Sequence, residues 1–189
     1  MMSLSGKRVV LVGGTAGLGV GLLRESVRLG AAKIWLLCHN EQRGTQVRAD
    51  VLLGNNGATE ITLVNGDLCS MRDVKAAGER ICNEGEAIDI VFLNAGVMPG
   101  SQAVMTAEGI EEGLAVNVVS QVLLSRTLVD AFAPGARVIV TGSDAGGFVG
   151  WKVDLATING QAKMGPGGFK QYCRECHCIL ACAPAITWQ

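Results

Sequence analysis

Neither sign of charge prevails in this 189-residue chain: 16 Lys and Arg face 17 Asp and Glu, a formal net charge of -1. Without a basic excess there is no electrostatic footprint for nucleic acid or an anionic lipid surface, and the balance points to small-molecule partners. A membrane span is not expected either. The longest uncharged run, Ile90–Ala107, falls short of the roughly 20 mostly apolar residues a spanning helix needs. It is also broken by Asn94, Pro99, Ser101 and Gln102. The opening "MMSLSGKR" has no apolar stretch of secretory type. The seven cysteines do not form an even, spaced set: Cys38, Cys69 and Cys82 stand singly, and four crowd between Cys173 and Cys182. That pattern predicts reduced thiols and a soluble protein of a reducing compartment, the cytoplasm. Cys173, Cys176 and Cys178 with His177 invite a zinc reading, but no second well-placed pair accompanies them, so no metal site is expected. Tyrosine is scarcest of all, with Tyr172 alone in the chain.

Hydrophobic residues make up 49% of the chain, enough for one well-buried core. Short apolar runs at Arg8–Val12, Lys33–Leu37, Glu60–Val64, Asp89–Leu93 and Arg137–Thr141 are rich in Val, Ile and Leu on both faces. Strands buried in a parallel sheet have that composition. Helical patterns fall between them at Leu18–Leu29, Glu41–Leu53, Met71–Glu84 and Thr106–Phe132, with glycine stops in "LGAAKIW" and "GNNGATE". Alternating strands and helices with right-handed crossovers predict one α/β domain built on a doubly wound, Rossmann-like parallel sheet.

In "KRVVLVGGTAGLGVGLLRE", Gly13, Gly17 and Gly19 follow the first strand and open the first helix. Gly13 permits a tight turn, Gly17 lets the backbone approach a pyrophosphate, and Gly19 lets the helix pack against the sheet. The helix start then offers N–H groups and a positive dipole end to phosphates. In the first β-α unit of such a sheet these glycines read as a dinucleotide-binding turn.

The spacing Gly-x-x-x-Gly-x-Gly resembles the short-chain dehydrogenase/reductase family, with Val12 where that family usually has Thr. "GDL" at Gly66–Leu68, "LNAG" at Leu93–Gly96, "TAEGIEEGLAVNVVSQVLLSRTL" and "RVIVTGSDAGG" are similar to its later motifs, in order, over roughly residues 5 to 155. The resemblance implies cofactor contacts at Gly13, Thr15, Gly17, Leu18 and Gly19, an adenine contact at Asp67 with Leu68, and further contacts at Asn94, Ala95 and Gly96. It also implies a catalytic Ser143 and a structural and catalytic Asn117. Each has a plainer alternative. Asp67 or Ser70 caps a helix, Asn94 closes a turn, Asn117 lies on a surface, and Ser143 serves a turn.

An acidic residue after the second strand would hold the ribose of NAD. Here "LLCHNEQRG" places Cys38 and His39 there. The similar branch, the retinol-dehydrogenase-like reductases, usually reads Cys-Arg-Asn. His39 or Arg43 is expected to pair with a 2′-phosphate, favouring NADP, with NAD possible.

The resemblance implies Tyr as general acid, Ser polarising a carbonyl, Lys lowering the Tyr pKa and Asn completing a relay. Tyr172 lies 29 residues after Ser143, a long interval, and Asp154-Leu155 resembles an insertion of the retinol-dehydrogenase-like branch. The Lys expected four residues after the Tyr is replaced by Cys176; Arg174 and Lys170 have the wrong helical offset. A second alignment sets Asn159 and Lys163 in the motif instead. After Tyr172, "CRECHCILACAPAITWQ" leaves no room for the family's later strands, so a truncated sheet missing its last strands is expected. Its fifth strand would then be an exposed edge. We therefore expect a dinucleotide-binding domain at residues 1–172 and an atypical Cys-rich tail at residues 173–189. The expected function is an NADP-dependent oxidoreductase acting on a small apolar alcohol or carbonyl substrate. The alternative is a catalytically impaired, truncated nucleotide-binding protein. A homodimer is implied by resemblance only.

Overall fold

The computed structural model describes residues 3–53, 58–149, 153–161 and 164–186. Five strands, β1 (Arg8–Val12), β2 (Lys33–Cys38), β3 (Glu60–Asn65), β4 (Ile88–Leu93) and β5 (Phe132–Val140), form one parallel sheet in the order β3-β2-β1-β4-β5. Between them run α1 (Gly17–Arg28), α2 (Glu41–Leu52) and α3 (Met71–Asn83). A longer helix, α4 (Glu112–Ala131), contains a π turn at Ala115–Val119 and ends in a 3-10 turn at Val129–Ala131. After β5 come two 3-10 turns, Asp144–Val149 and Pro166–Gly168, and a last helix, α5 (Phe169–Ile186).

Strand alternation divides the core. Val10, Val12, Trp35, Leu37 and Val64 pack on one face with α3 and α4 through Val74, Ile81, Leu124 and Leu128. Val9, Leu11, Ile34, Leu36 and Ile61 pack on the other with Leu23, Val27 and Val51 of α1 and α2. Each large side chain buried in this way contributes roughly 1.5–3 kcal/mol. Burial on both faces explains why β1 and β2 carry no alternating polar residues. The order reverses between β1 and β4, and there the carboxyl ends of the strands open a crevice.

Two expected boundaries are corrected. The helix expected from Thr106 begins at Glu112, because Thr106–Ile110 closes a turn instead. The Thr106 N–H donates to the Ile110 carbonyl at 2.8 Å, and Gly109 takes a φ of 74°. Glu111 then caps the helix, accepting from Gly113 N at 3.1 Å and Leu114 N at 2.9 Å. At the other end Phe132 is extended, with φ -71° and ψ 131°, and Pro134 two residues later cannot continue a helix. β5 therefore starts at Phe132, well before Arg137.

By length and composition α4 is apolar enough to cross a membrane. Its Leu114, Ala115, Val116, Val118, Leu124 and Leu128 are instead buried in the core. The break expected at residue 172 falls inside α5, whose Cys173, Cys176 and Ile179 are buried against the body. Among the described residues β5 is an edge strand, with Ile139 partly exposed.

Candidate functional site

At the carboxyl ends of β1, β2 and β4 lies a cleft of about 640 Å³. Gly13, Thr15, Gly17, Leu18, His39, Asp67, Leu68, Asn94, Ala95, Gly96, Asn117 and Tyr172 all line it, so one cavity joins residues drawn from six separate stretches of sequence. Gly19, Arg43 and Ser143 lie outside its lining.

The turn after β1 is glycine by necessity. Gly13 has a φ of 80°, and a Cβ on it would stand 2.6 Å from the Ala95 backbone. Gly17 has a φ of 49° with open space around it, so its requirement is conformational. Gly19 packs on the turn: a Cβ there would overlap the Gly13 carbonyl oxygen and come 2.9 Å from Asn94 Nδ2. Its partner is thus the turn itself rather than the sheet as a whole. No side chain caps the start of α1 at Ala16, which leaves first-turn N–H groups available to a ligand.

Asn94 stitches this end of the sheet together. Its backbone N–H donates to the Val12 carbonyl at 3.1 Å and its Nδ2 to the Gly13 carbonyl at 3.1 Å, while its Oδ1 accepts from Thr141 Oγ1 at 3.0 Å. Gln121, which sequence reasoning missed, is buried in α4 and donates through Nε2 to the Ala95 carbonyl at 2.6 Å, fixing the loop after β4. An amide at this depth in an apolar helix signals such a role, but its partner is invisible without the fold.

At the far side of the cleft, His39 Nδ1 stands 3.8 Å from Asp67 Oδ2. The choice between Asp67 and Ser70 as helix cap resolves to Ser70, whose Oγ accepts from Asp73 N at 3.2 Å. Asp67 Oδ1 accepts from Cys69 N at 2.8 Å, and the residue stays on the cleft wall. Arg43 sits exposed on the first turn of α2.

Tyr172 and Cys176, one helical turn apart on α5, enter the cleft together. Cys176 and Ser143 both act on the Tyr172 hydroxyl. Burial pushes it above the ordinary phenol value, Cys176 adds to the rise, and Ser143 acts weakly the other way. Ser143 also performs its turn role, its Oγ accepting from Ala145 N at 3.2 Å. Burial likewise raises the Cys176 thiol. Arg174 reaches Gln171 Oε1 at 3.4 Å, and neither it nor Lys170 lines the cleft. Asn159 lies by α4, its Oδ1 accepting from Glu111 N at 2.7 Å, and Lys163 lies outside the described residues.

Asn117 is buried in the π turn of α4, not placed on a surface. Its Oδ1 accepts from Val97 N at 2.8 Å, and its Nδ2 donates to the Val97 carbonyl at 2.9 Å and Glu175 Oε2 at 2.6 Å. Among the described residues no three His, Cys, Asp or Glu side chains gather as metal ligands, and all seven cysteines are free.

Comparison with known proteins gives a family. The model described as "short chain dehydrogenase" matches residues 7–163. A short chain dehydrogenase/reductase, dmxR8 of Cryptosporiopsis sp. (strain 8999), is 36% identical over 122 residues, 64% of this chain and 37% of that protein. Retinol dehydrogenase 12 of Bos taurus is 30% identical over 130 residues, 68% of this chain and 40% of that protein. The alignments thus span under half the length of these relatives. Among solved structures, a short chain dehydrogenase from Burkholderia cenocepacia J2315 in complex with NADP superposes with a TM-score of 0.72 at 21% identity. It covers 95% of this chain and 66% of its own. A blue fluorescent protein from a metagenomic library, in complex with NADPH, gives 0.74 at 18% identity, covering 95% and 67%.

Proposed function

The chain belongs to the short-chain dehydrogenase family, and from that premise we propose that it is an NADP-dependent oxidoreductase interconverting an alcohol and a carbonyl on a small apolar substrate. One observation carries the reading: a single cleft connects the glycine turn of β1 to Tyr172. The residues fit a dinucleotide. Gly13 and Gly17 hold positive φ, Gly19 leaves no room for a side chain, and the start of α1 is uncapped. Phosphates would rest on these backbone N–H groups. Asp67 and Leu68 would flank the adenine, His39 with Arg43 nearby would meet the 2′-phosphate, and Asn94, Ala95 and Gly96 would back the nicotinamide half. A coenzyme held there would supply or accept a hydride. Ser143 orients the substrate oxygen, Tyr172 exchanges the proton with it, and Asn117 holds the wall beside them. The fold likeness to NADP- and NADPH-bound structures supports this choice of coenzyme.

A specific observation favours a second reading, a nucleotide-binding protein with impaired chemistry. The group one turn beyond Tyr172 is a thiol that raises the hydroxyl, where an ammonium would lower it. A phenol held above its usual value of about 10 is a poor acid–base group at neutral pH.

Titrating the purified chain calorimetrically with NADPH and NADH, then following reduced-nicotinamide absorbance with apolar aldehydes, separates the readings. NADPH binding with turnover supports the oxidoreductase, and binding without turnover supports the impaired protein. Failure of both coenzymes to bind overturns both. The cytoplasmic location, supported by the free cysteines, and the homodimer belong to the same proposal. Fractionation and light scattering test them.

A further inference from the structure

Behind the cleft wall, two carboxyl groups from distant parts of the chain are buried against each other. Glu111, at the start of α4, is 1% exposed, and Glu175, on α5, is 0% exposed. Glu111 accepts the Gly113 and Leu114 N–H groups and, at 3.4 Å, the Gln171 Nε2. The helix start further favours a negative charge there. Glu175 has a different set of contacts. Its Oε2 accepts from Asn117 Nδ2, whereas its Oε1 receives no hydrogen bond, although the site is closed tightly enough that a Cβ on Gly113 would stand 2.6 Å from it. The two carboxyl groups are hydrogen-bond neighbours. Two carboxylates sharing a dry site cannot both stay ionised. Oε1 is the Glu175 oxygen left without a donor, so a proton there leaves the Asn117 hydrogen bond to Oε2 intact.

We propose that Glu111 and Glu175 share one proton and act as a pH-sensitive latch, fastening α5 to the start of α4 and so holding Tyr172, Cys176 and Ile179 in place as one wall of the cleft. Loss of the proton sets two charges against each other between the helices and loosens α5.

Burial above all, and then the neighbouring Glu111 charge, outweigh the Asn117 hydrogen bond and lift Glu175 from 4.5 to about 8. A raised carboxyl means the folded chain holds an extra proton between those values. The stability it contributes is therefore full below the window, declines as pH rises through it and is gone above it. On its own helix, Glu175 faces Tyr172, Cys176 and Cys178, with Lys170, Arg174 and His177 alongside. On the elements packed against α5, the charged groups are Glu111 and Glu112 at the start of α4, Arg126 and Asp130 further along it, Asp144 on the 3-10 turn and Arg137 on β5. Of these, Glu111 is the one that acts on Glu175 most strongly.

The test is Glu175→Gln in the full chain, which keeps the acceptor for Asn117, supplies an N–H toward Glu111 and cannot titrate. Unfolding midpoints and amide exchange in α5, corrected for intrinsic rates, are measured below, within and above the window. The wild-type chain is expected to lose stability as pH rises through it and to exchange faster in α5, while the variant stays flat in both. Parallel profiles overturn the proposal. Should the variant not fold, infrared titration of the wild-type chain decides. A protonated carboxyl band surviving at neutral pH and disappearing near pH 8 supports the latch, and its absence at neutral pH overturns it.

Discussion

Tyr172 and Cys176, one turn further along α5, face the same cleft. The thiol cannot supply positive charge, and together with burial it holds the phenol above its ordinary value.

Cys176→Lys reverses that effect. An ammonium one turn away is expected to lower the Tyr172 pKa by about 1–3 pH units. Because Tyr172 is the only tyrosine, ultraviolet titration of tyrosinate reads it without ambiguity. An unchanged midpoint in a folded variant would show that the two side chains do not communicate.

Glycine substitutions in and after the turn are expected to differ in sign. Gly19→Ala drives a methyl into the Gly13 carbonyl and should destabilise by about 1–3 kcal/mol while abolishing coenzyme binding. Gly21→Ala, exposed on α1 with open space around it, should stabilise by about 0.5–1 kcal/mol. Denaturant melts of both variants check the pair, and equal effects would contradict the packing described.

His39→Arg is expected to strengthen NADPH binding by about tenfold, roughly 1.4 kcal/mol, with little change for NADH. The planar guanidinium meets a phosphate with two hydrogen bonds, whereas His39 already leans toward Asp67 at 3.8 Å. Calorimetry with both coenzymes measures the selectivity; equal gains would place the 2′-phosphate elsewhere.

At the opposite end of the sheet Lys33, a buried cation, bonds Glu84 and Glu86 at 2.7 Å each and lies 5.1 Å from the Trp35 ring centre. Burial raises the Glu84 carboxyl, but the hydrogen bonds from Lys33 and Trp35 prevail and hold it below its ordinary value. A depressed carboxylate contributes stability above its unfolded pKa and loses it as pH falls through the folded one. Lys33→Met should therefore cost about 1–3 kcal/mol at neutral pH and make acid unfolding less steep. Circular dichroism at a series of acidic pH values is the measurement; an unaltered acid limb would exclude the network as its source.

Much of the fold could be read from the chain because its signals are local. Arg8–Val12, apolar on both faces, can satisfy itself only inside a parallel sheet, and glycines spaced after it allow one tight turn into a helix. Thr106–Ile110 was harder to read. It continues the apolar helical pattern of α4 and breaks from it only because the Glu111 carboxylate takes the first helix N–H groups and the Ile110 carbonyl closes a turn. Gln121 gave no signal beyond being an amide in an apolar helix.

Sequence by itself determined the order of strands and helices, the glycine turn and the side chains gathered at the strand ends, since neighbouring residues set those through backbone geometry and periodicity. Only the tertiary structure decided what those side chains do to one another. Glu111 and Glu175, or Asn94 and Gly13, are brought within hydrogen-bond reach by the packing of whole elements. What one such group does to another arises only once water has been excluded from between them.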